Sequence, residues 1–162
     1  AFLTGLDLSS KFSITKKLSF DFGASYVYAQ DLLDNEPIIL IPPFNSYQRL
    51  KYTPRKENWS FEITNQTYFK QTRFPDSNFI FDYIEDGSIV SKTVDISESP
   101  AGYNRLNAVF SIVLQNQKNI KSNLRIIAHN ITNINYRDYL NRMRFYASDL
   151  GRNVQIQLNF KY

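Results

Sequence analysis

The sequence predicts an all-β fold, a transmembrane antiparallel β-barrel that crosses a membrane with strands. Three observations predict it: apolar and polar residues alternate over long segments, the connections between these segments alternate between short and long, and aromatic residues are abundant. Tyrosine and phenylalanine number 11 and 13 among the 162 residues, and both favour pleated, half-buried surfaces. The alternating segments approach the roughly 9–11 residues that a tilted strand needs to cross a bilayer.

The last ten residues alternate without an exception. Val154, Ile156, Leu158, Phe160 and Tyr162 share one face of the predicted strand, and the polar residues between them share the other. This period of two is the signature of a strand with two different faces. It recurs clearly in segments 6–14, 18–29, 59–70 and 105–114, and more weakly in segments 44–53 and 123–133. We therefore predict seven long strands.

The predicted connections alternate in length along the chain. Short turns are predicted at 15–17, 54–58 and 116–120, and long loops at 30–43, 72–101 and 137–151. Outer-membrane barrels have short periplasmic turns and long extracellular loops, so this order favours that class. Within the longest loop, Asp86-Gly87 separates two strand-like runs, 79–84 and 89–94, and Asp-Gly in that setting predicts a β-hairpin. Its arms are too short to span a bilayer, so the hairpin is expected to stand above it.

Composition argues against several other classes of protein. The net charge of +4 comes from scattered lysines and arginines, so no nucleic-acid-binding patch is expected. The chain has no cysteine and a single histidine, His129, with no recognisable nucleophile motif, so we expect neither an enzyme nor a cofactor or metal site. No apolar run approaches the roughly 20 residues of a spanning helix. Three functions stay open as alternatives to an uptake receptor. They are, in order, a passive porin-like channel, a soluble lipocalin-like binder and an outer-membrane hydrolase that uses His129.

Four segments together resemble TonB-dependent outer-membrane receptors. Residues 130–142 (NITNINYRDYLNR) resemble the family's penultimate strand and last loop, and 151–154 (GRNV) its opening of the final strand. Residues 1–8 resemble a family strand start, and 37–43 a proline-bounded segment that descends into the next strand. The chain departs from the family pattern where it ends in tyrosine instead of Phe or Trp, and where Asp-Tyr stands at a position often held by His.

The resemblance implies that residues 1–162 are the C-terminal part of a barrel of about 22 strands with a plugged lumen. Seven strands do not close a bacterial barrel, and an unpaired edge is not viable in lipid, so the plug and earlier strands are expected to belong to a longer protein. The implied function is energy-coupled uptake of a scarce nutrient, an iron chelate such as a siderophore or haem, or cobalamin, across a Gram-negative outer membrane. The implied partners are a TonB-type energy-coupling protein reached through the missing N-terminal region, the barrel-assembly machinery, outer-membrane lipid and lipopolysaccharide, and an extracellular small-molecule or metal-chelate ligand.

Candidate site residues follow from these expectations. Phe160 and Tyr162 are the implied C-terminal signal for barrel assembly, and the candidate ligand-facing loop residues are Arg73, Asp82, Tyr83, Arg142 and Arg144. Charged residues on the polar faces of the strands are expected to line the lumen. These are Asp7, Lys11, Asp21, Arg49, Lys51, Glu62, Lys70, Arg105, Arg125 and His129.

Overall fold

The computed structural model describes residues 1–75, 78–95, 98–117 and 120–161. Tyr162, half of the expected assembly signal, therefore lies outside the described residues. No helix in these ranges has the length and apolar character needed to cross a membrane. The elements are one 3₁₀-helix, Arg142–Phe145, and the strands β1 (Phe2–Ser13), β2 (Leu18–Gln30), β3 (Asn45–Tyr52), β4 (Trp59–Tyr68), β5 (Asn78–Glu85), β6 (Ser88–Asp95), β7 (Tyr103–Gln117), β8 (Ile120–His129) and β9 (Asn153–Lys161).

Seven strands form one antiparallel sheet in the order β1-β2-β3-β4-β7-β8-β9. Every neighbouring pair is antiparallel, which confirms the seven long strands predicted from the alternation. β1 and β9 are the two edges of this sheet and do not pair with each other. Among the described residues, only Ala29 and Tyr139 are buried hydrophobic residues. The sheet is thus an open single layer, compatible with one part of a barrel wall.

The register of the strands separates two faces of the sheet. Residues paired in register point to the same side, and successive residues point to opposite sides. One side, the apolar face, carries rows such as Leu50–Ile63–Ala108–Ala128–Val154. The other side, the charged face, holds all the expected lumen-lining residues that lie within strands. The alternation predicted from the sequence is therefore kept in the sheet, except where the pairing of β7 with β8 shifts register between Val113 and Gln115.

The short connections all lie at one end of the strands, which we call the turn edge. The long connections lie at the opposite end of the strands, which we call the long-loop edge. In the first turn, Thr15 Oγ1 accepts hydrogen bonds from the backbone N–H groups of Lys17 and Leu18, both at 3.1 Å. In the second, Glu57 adopts a left-handed conformation and donates its N–H to Pro54 O at 3.0 Å. These confirm the two predicted turns. The third predicted turn includes residues 118–119, which lie outside the described residues.

The longest loop contains the predicted hairpin. β5 and β6 pair from Asn78↔Asp95 to Glu85↔Ser88, which leaves Asp86 and Gly87 as a two-residue turn. Both turn residues have positive φ, 51° and 76°, as a type I′ turn requires, and the twist of that turn matches the right-handed twist of the paired strands. The hairpin pairs with no strand of the large sheet and forms a separate two-stranded sheet.

The segment 123–133 does not continue as a strand to its predicted end. β8 ends at His129, and Asn130 and Asn133 take positive φ values of 49° and 54°. Asparagine tolerates this left-handed region better than other non-glycine residues. The asparagines of the family-like segment therefore build a turn, and the prediction of strand over 130–133 is wrong.

Candidate functional site

A row of ion pairs runs across the charged face. Nη1 of Arg49 on β3 lies 3.8 Å from Oδ2 of Asp21 on β2, and its Nε lies 3.4 Å from Oε1 of Glu62 on β4. The two carboxylate side chains are mostly shielded from solvent, at 18% and 24% exposure. One guanidinium serves both carboxylates, so this part of the wall is polar and the three side chains together carry one net negative charge.

Three tyrosines stack at the long-loop edge of the charged face. The rings of Tyr68 and Tyr103, paired across β4 and β7, lie 4.8 Å apart, and Tyr136 of the last loop lies 4.3 Å from Tyr103. Arg105 donates from Nε and Nη2 to Oε1 of Gln66 at 3.1 and 2.8 Å, and from Nη1 to the Tyr136 hydroxyl at 3.1 Å. The last loop is therefore held against the charged face.

The last loop has its own hydrogen-bonded framework. Asn130, 1% exposed, closes a ring with Ile134 in which its Nδ2 donates to the carbonyl at 2.9 Å and its Oδ1 accepts from the N–H at 3.0 Å. Asp149 accepts from the N–H of Asp138 at 2.7 Å and from Nδ2 of Asn141 at 2.9 Å. These hydrogen bonds fix the conformation of residues 130–149 at the long-loop edge of the sheet.

A pocket of about 430 Å³ lies where this loop meets the segment before β7. We call it the arginine pocket. Arg144 is 4% exposed, donates from Nη1 to Tyr139 O at 2.7 Å, and has its guanidinium 4.8 and 4.4 Å from the rings of Tyr139 and Phe145. The pocket is lined by Lys70, Glu98, Ser99, Pro100, Ala101, Arg137, Arg144 and Phe145.

The arginine pocket has three cationic side chains and one carboxylate. Such a charge balance favours a ligand with anionic oxygens, because charge-assisted bonds from guanidinium and ammonium groups to carboxylate or phenolate oxygens are short and strong. Over residues 1–75, 78–95, 98–117 and 120–161, no three His, Cys, Asp or Glu side chains come together as a metal site.

The structure distributes the five predicted loop residues over three places. Arg144 lines the arginine pocket, and Arg142 is exposed on the same 3₁₀-helix. Asp82 accepts a 2.6 Å bond from Ser91, and Tyr83 donates to Oε2 of Glu85 at 3.1 Å, both within the hairpin. The hairpin pair and the arginine pair thus belong to different surfaces.

Arg73 lies at a third place, in the loop after β4 and against the end of β2. Its Nη2 donates to Oε1 of Gln30 at 2.6 Å, and its guanidinium lies 3.7 Å above the ring of Tyr28. The neighbouring Gln71 donates to Ile41 O at 2.8 Å and accepts from the Arg73 N–H at 3.1 Å. These contacts tie the loop after β4 to the loop after β2.

Sequence reasoning missed the tyrosine stack. Tyr68 and Tyr103 are neighbours because β4 pairs with β7 in that register. Tyr136 reaches them because the last loop folds back onto Arg105, which lies 31 residues earlier in the chain. A tyrosine in each of two facing strand positions was the available signal.

Phe160, the described half of the predicted assembly signal, lies on the apolar face of β9 with 65% of its surface exposed.

No protein-family model and no curated protein sequence matches the chain. Among solved structures, the copper transporter OprC matches with a TM-score of 0.75 over 99% of this chain, at 16% sequence identity. The chain spans only 24% of the length of that structure. The likeness confirms the predicted fold, an antiparallel barrel of the outer-membrane type.

Proposed function

We propose that this chain is the C-terminal part of the barrel domain of an outer-membrane receptor for energy-coupled uptake, of the TonB-dependent type. One observation carries the proposal: an ordered last loop covers the charged face at the long-loop edge and presents a cationic pocket there. A receptor that captures its ligand before transport needs such a structure at its mouth. The energy would come from a TonB-type partner through an N-terminal region outside this chain.

The arginine pocket favours a metal chelate over a bare metal ion. Copper prefers thiolate, thioether and imidazole ligands, and this chain has no cysteine, one methionine and one histidine. Carboxylate or phenolate oxygens of an iron chelate, or the carboxylates of haem, instead match Lys70, Arg137 and Arg144. We infer that this part of the wall contacts the anionic periphery of such a cargo, while the metal remains in its chelator.

A passive porin-like channel is the second candidate function. The row Asp21–Arg49–Glu62 favours it, because charged side chains on one face of a barrel wall also line water-filled passages. The two functions differ in their need for energy. A receptor stops transporting when the inner-membrane proton gradient collapses, whereas a channel continues.

The test uses the complete protein in a Gram-negative strain that lacks it. We would measure accumulation of ferric siderophores, haemin, cobalamin and free copper, with and without a protonophore. We expect uptake of an anionic chelate only, abolished by the protonophore and reduced by Arg137→Ala. Arg152→Ala, an exposed arginine outside the pocket, is the matched control. Uptake that persists without the proton gradient would establish the channel instead.

A further inference from the structure

Five neutral polar residues interrupt the apolar face near the long-loop edge. Register places them on the same side as Leu50 and Ile63, on three adjacent strands. We call this group the amide patch; its members are Ser46, Gln48, Asn65, Thr67 and Asn104.

The members of the amide patch bond to one another. Nε2 of Gln48 donates to Oγ of Ser46 at 3.2 Å, and Nδ2 of Asn65 donates to Oε1 of Gln48 at 2.9 Å and to Oγ1 of Thr67 at 3.3 Å. The Thr67 hydroxyl donates to Oδ1 of Asn104 at 2.7 Å. This mutual bonding lets polar groups survive on a surface that faces hydrocarbon, where unsatisfied ones are costly.

Aromatic pairs on the same face fix the depth of the patch. Tyr52 and Trp59 lie 5.4 Å apart at the turn edge, and Phe44 and Phe69 lie 5.1 Å apart at the long-loop edge. Aromatic girdles of this kind mark the two membrane interfaces of a barrel. Gln48 is four residues below Phe44, so with a rise of about 3.3 Å per residue and a tilt of about 40° the patch extends to about 10 Å beneath the outer interface.

The amide patch retains hydrogen-bonding capacity of both kinds. An amide side chain has two N–H donors and a carbonyl with two lone pairs. The four bonds above use neither the carbonyl of Asn65 nor the amino group of Asn104. No patch member is charged, so the part of a ligand that fits the patch is neutral and offers both donors and acceptors just below the headgroups.

We propose that the amide patch binds the linkage region of a lipopolysaccharide molecule, where amide and hydroxyl groups join the acyl chains to the sugar headgroup. Glycerophospholipids at the same depth present ester carbonyls, which only accept, whereas the lipopolysaccharide linkages also donate. The inference rests on the proposed function, because it requires the apolar face to lie in the outer leaflet.

The experiment compares the complete protein with an Asn65→Leu/Thr67→Val variant, both purified in mild detergent from outer membranes. Bound lipopolysaccharide is counted by native mass spectrometry and by the hydroxylated fatty acids it releases. We expect retained lipopolysaccharide to fall several-fold in the variant and to stay unchanged in Thr64→Val, the neighbouring position on the charged face. Equal retention in all three proteins would overturn the inference.

Two further measurements separate the possible failures. If the variant does not fold, wild-type protein in nanodiscs is offered lipopolysaccharide and phosphatidylglycerol, and equal retention of both overturns the inference. A co-purifying protein lost from the variant while lipopolysaccharide is unchanged overturns it in favour of a protein partner. A complete protein absent from the outer-membrane fraction would instead contradict the proposed function.

Discussion

The hydroxyl of Tyr103 donates a 2.6 Å hydrogen bond to Oδ2 of Asp138, which joins the first residue of β7 to the last loop. We predict that Tyr103→Phe loosens this loop while the sheet persists, because a hydrogen bond to a charged acceptor contributes about 1.5–3 kcal/mol. Hydrogen exchange should quicken over 136–149 and not in β4. Tyr146→Phe is the control, since Tyr146 is 81% exposed in the same loop; equal exchange in both variants would contradict the prediction.

The pattern of strands was predictable because its cause is local. Period-two alternation follows from strand geometry, and a barrel wall needs two different faces, so Val154 to Phe160 show it without tertiary information. The end of β8 was not predictable in the same way. Asn130 follows an alternating segment, and its left-handed turn depends on bonds to Ile134 and to Oδ1 of Asn107 on the neighbouring strand.

The arginine shared by two carboxylates should behave as one unit with them. Arg49→Met leaves Asp21 and Glu62 close together without their cation, and we expect a loss of about 1 kcal/mol, since the group is partly exposed. The triple variant Asp21→Asn/Arg49→Met/Glu62→Gln should recover most of that stability, because replacing all members of an ionic group is often nearly neutral. Thermal unfolding of the intact protein in detergent measures both. Additive losses in the triple variant would show that the three residues are not coupled.

The assignment of the two faces can be tested on β9. Ile156 lies beside Ile126 on the apolar face, and Ile156→Arg should cost about 2–4 kcal/mol if that face meets lipid. The control on the charged face must be Gln155→Arg, opposite Ile127, because Gln157 lies opposite Arg125 and an arginine there would add like-charge repulsion. Unfolding in lipid vesicles should show a large effect for Ile156→Arg and an effect near zero for Gln155→Arg. Equal effects would reverse the face assignment.

The site was less predictable than the fold, because its residues are far apart in the sequence. Only the pairing of the strands and the course of the loops bring them together. Arg144 was predicted from its charge and its place in the last loop, whereas its neighbours Lys70 and Glu98 come from the loop after β4 and the segment before β7. Arg73 was also predicted from its charge, and its contact with a ligand stays a prediction. Its contacts with the Tyr28 ring and Gln30 could not be read from the sequence, because Gln30 lies 43 residues away in the chain.

The β5–β6 hairpin provides the test of membrane topology. Asp86 and Gly87 form an exposed two-residue turn with positive φ, and a Cβ built on Gly87 meets no atom within 4 Å. An exposed loop tip of this kind is where proteases cut folded proteins. If the long-loop edge is extracellular, protease added to intact cells should cleave at 86–87. The short turn at 54–58 should be protected in the same cells and become accessible when the outer membrane is opened. The reverse order of cleavage would place the long loops, and with them the arginine pocket, in the periplasm, where the pocket could not capture an external ligand.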